Sequence, residues 1–306
     1  MRKNLFIIIC FVFYTALSFA NVTEAVTISV ISSSDLNPYK QTLEGLKEYF
    51  ADKGVYLKLL EYNLKMDEPD QIIQQIFQEK PDIVYTIGTN ATKLAKEKIK
   101  NTQIVFSMVL HSETFINSNV VGVSLNIPAK IKLENIRRIL PSVKRIGVIY
   151  SSKSTKLFEE VHKASKEIGF QLISKHINSK NKFSKLLKDI SSEVDCFLVI
   201  PDTEIYIPQT ISHLILKGLR KGFAVIGLSS FHTKAGALVS FEGDYFDMGR
   251  QAGGIALRIV NGEKFTHSQL TMPEKTKFSL NIRVAERLKI DIPSKELKEA
   301  SEVFGK

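Results

Sequence analysis

The stretch that decides the fold begins at Asp82 and reads Asp82-Ile83-Val84-Tyr85-Thr86-Ile87-Gly88-Thr89-Asn90-Ala91-Thr92. Its first half is a short apolar run rich in β-branched residues, which is typical of a strand buried in a parallel sheet. Gly88 then allows the chain to turn closely, and polar residues follow at the start of a helix-like segment. This order of strand, turn and helix predicts one βα unit of an α/β fold.

The same alternation continues on both sides of this unit. In the first half, strands are predicted at 26–32, 56–62, 82–88 and 103–109, with helices at 38–53, 69–78 and 90–100. In the second half, strands are predicted at 145–150, 171–177, 195–200, 224–228 and 237–241, with helices at 155–168, 183–190 and 207–221. The length and this repetition predict two doubly wound lobes of comparable size, each with a parallel sheet.

The last part of the chain does not fit a simple tandem of two lobes. A helix is predicted at 245–261, an extended segment at 268–281 and a further helix at 284–288. Extra elements after two complete sets of strands suggest that the chain crosses back between the lobes.

The N-terminus has the three parts of a secretory signal peptide. Arg2 and Lys3 precede an apolar run at 5–17, and small residues at Ser18 and Ala20 mark a cut after residue 20. An uncleaved anchor is the alternative, but the run is shorter than the roughly 20 residues that span a bilayer. Cys10 lies too early in the apolar run to be a lipoprotein cysteine. We therefore expect a periplasmic or other extracytoplasmic protein, exported by a cleavable peptide at 1–20.

Charge and cysteine content further limit the partners and the disulfides that we expect of this protein. The formal net charge is +10, but the lysines are scattered along helix-like segments among acidic residues, which indicates a solvated basic surface. No basic run with interleaved aromatics is present, so we expect no nucleic-acid partner. After cleavage only Cys196 remains, which rules out an intramolecular disulfide, and its apolar surroundings predict a buried thiol.

Ordered motifs give the chain a family resemblance. They include Leu43-Glu44-Gly45-Leu46, Ile87-Gly88-Thr89-Asn90-Ala91-Thr92, Leu140-Pro141-Ser142-Val143, Val199-Ile200-Pro201-Asp202, Lys234-Ala235-Gly236-Ala237 and Gly249-Arg250-Gln251-Ala252. In this order they resemble the ABC-transporter substrate-binding family, the group with tryptophan- and tyrosine-like receptors, which has the type I periplasmic-binding-protein fold.

The resemblance implies two Rossmann-like α/β lobes joined by three crossovers. Lobe 1 would hold residues 21–122 and 243–264, and lobe 2 would hold residues 123–242 and 265–306. A small molecule would bind between the lobes, and closure about the hinge would present a surface to the membrane permease of an ABC importer. We expect a monomer.

Ligand-binding residues are expected after the strands, because ligands of open α/β sheets gather at the carboxyl ends of strands. The candidates are Ser32, Ser33, Gly88, Thr89, Asn90, Ala91, Thr92, Ser107, Tyr150, Ser151, Asp202, Thr203 and Ser229.

The start of the helix after Gly88 could bind a carboxylate through its N–H groups and dipole, although Thr89 could simply cap its own helix. Asp202 could pair with a ligand ammonium, accept hydroxyls, or cap a helix. Tyr150 could stack on a flat ligand or pack at the strand end. An amino acid or another carboxylate is the favoured ligand class.

Enzymatic chemistry is not expected. No two histidines have a metal-ligand spacing, and the sequence has neither a nucleophile elbow nor a phosphate-binding loop, so no catalytic residue, metal or cofactor is assigned. His111 and His232, which follow strands, are the histidines nearest to the expected cleft. Two alternatives remain open: an exported sensor that docks on a sensor kinase or chemoreceptor, and a small-molecule enzyme on the same scaffold.

Overall fold

A computed structural model describes residues 25–264 and 270–305 of the chain. The predicted signal peptide at 1–20 lies outside the described residues. Buried apolar runs form the strands and amphipathic segments form the helices, as the hydrophobic pattern predicts.

The first part of the chain forms alternating strands and helices. The elements are β1 (Val26–Ser32), α1 (Asn37–Asp52), β2 (Leu57–Asn63), α2 (Pro69–Glu79), β3 (Ile83–Ile87), α3 (Thr89–Lys98), β4 (Gln103–Val109) and β5 (Val120–Ser124). Proline occupies the first turn of α1 and α2, where its fixed φ suits a helix start and its missing N–H costs nothing. The sequence analysis assigned no strand to Val120–Ser124, although every one of its residues is buried.

The second part repeats the pattern. The elements are α4 (Ala129–Ile139), β6 (Arg145–Tyr150), α5 (Thr155–Ile168), β7 (Gln171–His176), α6 (Phe183–Ile190), β8 (Cys196–Leu198), α7 (Pro208–Lys221), β9 (Ala224–Gly227), α8 (Ser230–Lys234) and β10 (Val239–Gly243). Cys196 is fully buried, as expected, and burial raises the pKa of its thiol.

The remaining segment returns to both halves. It forms α9 (Tyr245–Val260), β11 (Leu270–Thr271), β12 (Thr276–Asn281), α10 (Ile282–Leu288), α11 (Ser294–Glu299) and β13 (Glu302–Phe304). Asp244 caps α9 by accepting hydrogen bonds from the N–H groups of Phe246 and Asp247.

The strands assemble into two sheets. The first has the order β11-β5-β4-β3-β1-β2 and the second the order β13-β12-β10-β9-β8-β6-β7. Neighbouring strands run parallel except β10 and β12, which pair antiparallel. The fold is therefore the two-sheet α/β architecture that was predicted.

The chain passes between the two sheets three times: after β5, after β10 and between β11 and β12. Two ion pairs lie beside the second and third crossings, Lys275 Nζ to Asp247 Oδ1 at 2.8 Å and Lys277 Nζ to Asp244 Oδ2 at 3.0 Å. The lobe boundaries after residues 122, 242 and 264 stay predictions. In the structure, β5 continues to Ser124 and Leu270–Thr271 pairs with β5.

Helix α9 returns to the first sheet and packs on α1. A Cβ on Gly45 would collide with the carbonyl oxygen of Phe246, and one on Gly249 would collide with the carbonyl oxygen of Thr42. The two backbones approach this closely because both positions are glycine. Gly45 and Gly249, which belong to motifs distant in the sequence, therefore both permit the close contact between α1 and α9.

Candidate functional site

A cavity of about 290 Å³ lies between the two sheets, beside the crossings of the chain. The first sheet contributes Leu110 and His111 after β4 and Leu125 after β5. The second sheet contributes Asp202 after β8 and Ser229 after β9. The carboxyl ends of strands from both sheets therefore meet at one place, which is where α/β folds bind ligands.

The wall of the cavity is mainly apolar. Its apolar and aromatic side chains are Leu110, Leu125, Ile127, Tyr206, Leu228, Phe241 and Tyr245. A few polar side chains interrupt this surface. An apolar cavity with a small number of polar groups is typical of a small-molecule site.

Asp202 lies in this wall and is only 4% exposed. Its Oδ2 accepts hydrogen bonds from the backbone N–H and the hydroxyl of Ser151 and from the hydroxyl of Ser154. Its Oδ1 accepts hydrogen bonds from the N–H groups of Glu204 and Ile205. Burial acts to raise the pKa of Asp202, but the hydrogen bonds from Ser154 and Ser151 and the backbone N–H groups hold it below its usual value. The carboxylate is therefore ionised and satisfied within the protein.

Glu242 and Tyr245 form a second polar group in the wall. The Tyr245 hydroxyl donates a hydrogen bond of 2.8 Å to Glu242 Oε2. Burial raises the pKa of Glu242, and the hydrogen bonds from Tyr245 and Ser230 act in the opposite direction. Burial and the neighbouring Glu242 raise the pKa of the Tyr245 hydroxyl, so it stays a hydrogen-bond donor at neutral pH.

Both histidines that the sequence analysis placed near the cleft line the cavity. The Nδ1 of His232 accepts a hydrogen bond of 3.1 Å from the N–H of Leu228, which fixes the neutral tautomer. Burial lowers the pKa of His232 and favours the same neutral form.

Lys132 is a lining residue that the sequence analysis missed. It lies on α4, where Ala129, Ile136 and Ile139 occupy the same helical face and are buried. A lysine in a row of buried apolar positions was the available sequence clue. Burial lowers the pKa of Lys132 to about 8, although the nearby Glu160 acts to raise it.

The start of α3, predicted to hold a carboxylate, is not among the residues that line this cavity. Ser33 Oγ accepts a hydrogen bond of 2.9 Å from the N–H of Ala91. Thr92 is fully buried, and its hydroxyl lies 2.8 Å from that of Thr86 and donates to the carbonyl oxygen of Gly88. The N-cap of α3 is Gly88, and Thr89 is the first residue inside the helix. Thr89 Oγ1 accepts a hydrogen bond from Leu110 N–H at 3.4 Å, so the alternative that Thr89 caps its own helix is not what the structure shows.

The other predicted residues divide between the wall and the protein interior. Thr203 and Ser229 line the cavity together with Asp202. Ser107 is fully buried and accepts a hydrogen bond of 2.9 Å from the Tyr85 hydroxyl. Tyr150 stacks on Phe158, with ring centroids 3.8 Å apart. Ser32 and Asn90 are not among the lining residues, and the ligand role of all thirteen candidates stays a prediction.

The sequence matches a family model over almost its whole described length. The family is described as ABC transporter substrate binding protein, and the match covers residues 25–304. The chain belongs to this family. The family is one of substrate-binding proteins of ABC transporters, which work outside the cytoplasm.

Individual relatives agree with this assignment. A tyrosine-binding protein from Clostridioides difficile (strain R20291) is 22% identical over 255 residues, which cover 79% of this chain and 73% of the relative.

Two solved structures share the fold. One is an ABC domain in complex with L-Trp from Streptococcus pneumonia, with a TM-score of 0.65, 22% identity and coverage of 92% of this chain and 100% of that chain. The other is the ligand-free, open structure of a substrate-binding protein with adhesive properties from Clostridium difficile, with a TM-score of 0.75, 19% identity and the same coverage.

Within residues 25–264 and 270–305, no helix is long and apolar enough to cross a membrane. Within the same ranges, no group of three or more histidine, cysteine, aspartate or glutamate side chains is arranged to hold a metal ion.

Proposed function

We propose that this chain is the receptor component of an ABC importer and that it binds a small molecule between its two lobes. The observation that carries the proposal is the cavity beside the first two crossings, lined by loops that follow strands of both sheets. A ligand held there would contact both lobes at once, so its binding energy would favour a closed arrangement over an open one.

The proposed ligand is an amino acid or another small carboxylate. The cavity combines aromatic and aliphatic side chains with charged and hydrogen-bonding groups, which suits a molecule with an apolar body and a polar end. The tyrosine and tryptophan named for two relatives belong to this class. Among the predicted site residues, we place Thr203 and Ser229 in contact with such a ligand, whereas the Asp202 carboxylate lies in the wall and is already satisfied by the protein.

We further propose that the two lobes close about the hinge and that the peptide at 1–20 directs export. The protein would act as a monomer and deliver its ligand to a permease. The crossings are short, and only a few residues of each would have to change their backbone angles for the lobes to move.

The test is to purify the full mature chain without denaturation and to identify any retained compound by native mass spectrometry. Calorimetry with that compound and with L-tyrosine and L-tryptophan then gives its affinity, and solution scattering reports the change in overall size. A tight one-to-one ligand that compacts the protein supports the proposal. Absence of any bound small molecule, or turnover of the bound compound, contradicts it.

A further inference from the structure

The ionisable groups around the cavity differ in how many hydrogen-bond or ion-pair partners they have within the protein. Asp202 accepts several hydrogen bonds, Glu242 accepts hydrogen bonds from Tyr245 and Ser230, and His232 is held neutral by the Leu228 N–H. Lys132 differs from these groups. Among the described residues, no carboxylate lies within ion-pairing distance of its ammonium, and no side-chain hydrogen bond is made by it.

The position of Lys132 makes this imbalance costly. Its neighbours on the same face of α4, Ala129 and Ile136, are buried, so the aliphatic part of the lysine packs among apolar groups. Lys132 is also one of the residues that line the cavity. An ammonium taken out of water without a partner is strongly unfavourable, which is why burial lowers its pKa.

We propose that Lys132 binds an anionic group, a carboxylate, of the ligand in the cleft. This assignment rests on the proposed function, because it concerns the same cavity. It also relocates the anion site: the sequence analysis placed it at the start of α3, whereas the unsatisfied positive charge is on α4. The bound carboxylate would supply the partner that the protein itself does not provide.

A second unsatisfied polar atom lies in the same wall. Asn126 Oδ1 is buried and accepts no hydrogen bond from the described residues. A carbonyl oxygen of this kind can accept a hydrogen bond from an N–H group of the ligand. Lys132 and Asn126 together would therefore orient a molecule that carries a carboxylate next to an amine or amide.

Several titratable groups face Lys132 from the elements around it. They are Glu160 on α5 and, around the cavity, His111, Asp202, Tyr206, His232, Glu242 and Tyr245. Glu160 favours the protonated lysine. A carboxylate ligand would do the same more strongly, because it would lie at contact distance.

The experiment compares Lys132→Met with Lys130→Met. Lys130 lies on the same helix but is exposed and close to Glu167, so it is a matched control for charge and helix position. Calorimetry uses the compound retained on purification together with L-tryptophan, indole-3-propionate and tryptamine. Indole-3-propionate keeps the carboxylate and lacks the amine, and tryptamine has the reverse arrangement.

We expect Lys132→Met to weaken binding of the carboxylates by about 30-fold or more, the usual cost of truncating one partner of a buried charge pair. Lys130→Met should change their affinity by less than about 2-fold. Lys132→Arg should restore part of the loss. The empty Lys132→Met protein should unfold at an equal or higher urea concentration, since an apolar side chain replaces a half-buried charge that has no partner in the protein.

A pH series provides a readout that a purely structural role would not change. Wild-type affinity for indole-3-propionate should fall as the pH rises above about 8, because the lysine then loses its charge in the empty protein. The Lys132→Met protein should lack this dependence.

The outcomes separate this assignment from the proposed function. If ligands bind but Lys132→Met binds them as tightly as the wild type, or if tryptamine binds as well as indole-3-propionate, the Lys132 assignment is wrong and the receptor function stands. If the wild type binds no probe and retains no compound, the receptor function itself fails and the assignment fails with it.

Discussion

Two loops of the molecule, one after β3 and one after β8, illustrate how similar sequence features acquire different roles. Both follow a buried strand, and both carry polar residues that were predicted to contact ligand. After β8, Asp202 lies in the cavity wall, yet its carboxylate is occupied by Ser151, Ser154 and two N–H groups. After β3, the hydroxyl of Thr92 is turned into the core. A polar residue at a strand end is thus available to a ligand only if the protein does not already satisfy it.

The largest expected effect in this comparison comes from Asp202→Ala. Removal of a buried carboxylate takes an acceptor from the hydroxyls of Ser151 and Ser154 and from three backbone N–H groups, so we expect the unfolding free energy to fall by about 3 kcal/mol. Urea denaturation measures the change. Asp202→Asn, which keeps the shape and one acceptor, should lose less. A loss below about 0.5 kcal/mol would show that the network does not stabilise the loop.

Gly88 provides the next largest effect. Its φ is 94°, and a Cβ there would lie 2.8 Å from Ser33 Oγ and 2.8 Å from the Tyr39 ring. Gly88→Ala should therefore cost about 2 kcal/mol, from backbone strain and from the collisions together.

Gly169→Ala is the matched control for Gly88→Ala. Gly169 has a φ of 84°, but a Cβ there would have no neighbour within 4 Å. Its substitution should cost about 1 kcal/mol, from backbone strain alone. Equal losses in the two variants would mean that the close packing of Ser33 and Tyr39 on Gly88 is unimportant.

Thr92→Val tests the role of the Thr92 hydroxyl and should have a smaller effect on stability than Gly88→Ala. The variant keeps the shape of the side chain and removes the hydroxyl that bonds to Thr86 and Gly88, so we expect a loss of about 1 kcal/mol in unfolding free energy. Ligand affinity, measured by calorimetry, should stay unchanged because the hydroxyl points into the core. Thr89→Val, at the surface of the same turn, is the comparison. A greater affinity loss for Thr92→Val than for Thr89→Val would contradict this account.

The smallest expected effect is the acid dependence of Asp202. Its pKa is lowered in the folded protein, so the carboxylate stabilises the fold above the pKa of the unfolded chain, and this contribution is lost as the pH falls through the folded value. The stability difference between wild type and Asp202→Asn should therefore shrink below about pH 4. Urea titrations at several pH values measure this difference in unfolding free energy. A difference that widens on acidification would contradict the prediction.

The fold was largely predictable from the sequence because its causes are local. Helix α5 (Thr155–Ile168), helix α6 (Phe183–Ile190) and strand β6 (Arg145–Tyr150) begin and end where the apolar periodicity predicted them. Strand β5 and the final strand β13 were not predicted. Val120–Ser124 contains Gly122 and a serine, and only its place between β4 and β11 shows that it is a buried strand.

The site was predictable only in part. Asp202, Thr203 and Ser229 line the cavity as the rule about strand ends predicts, and so do His111 and His232. Lys132 was missed because it does not follow a predicted strand. Glu242 directly follows the strand predicted at 237–241, so the rule about strand ends could have identified it. Lys132 reaches the cavity from a helix after a crossing, and the packing of that helix on the second sheet decides where its side chain ends.

By itself, then, the sequence determined two doubly wound halves, a chain that returns late to the first half, and a family. The two halves follow from hydrophobic periodicity, whereas the return of the chain and the family follow from the ordered motifs and the resemblance that they carry. The tertiary structure alone decided which polar groups are satisfied inside the protein and which are left at the cavity. The hydroxyls that satisfy Asp202 come from Ser151 and Ser154, which are distant in the chain, so these hydrogen bonds exist only once the elements have packed. The unpaired charge of Lys132 likewise reaches the cavity only once α4 has packed on the second sheet.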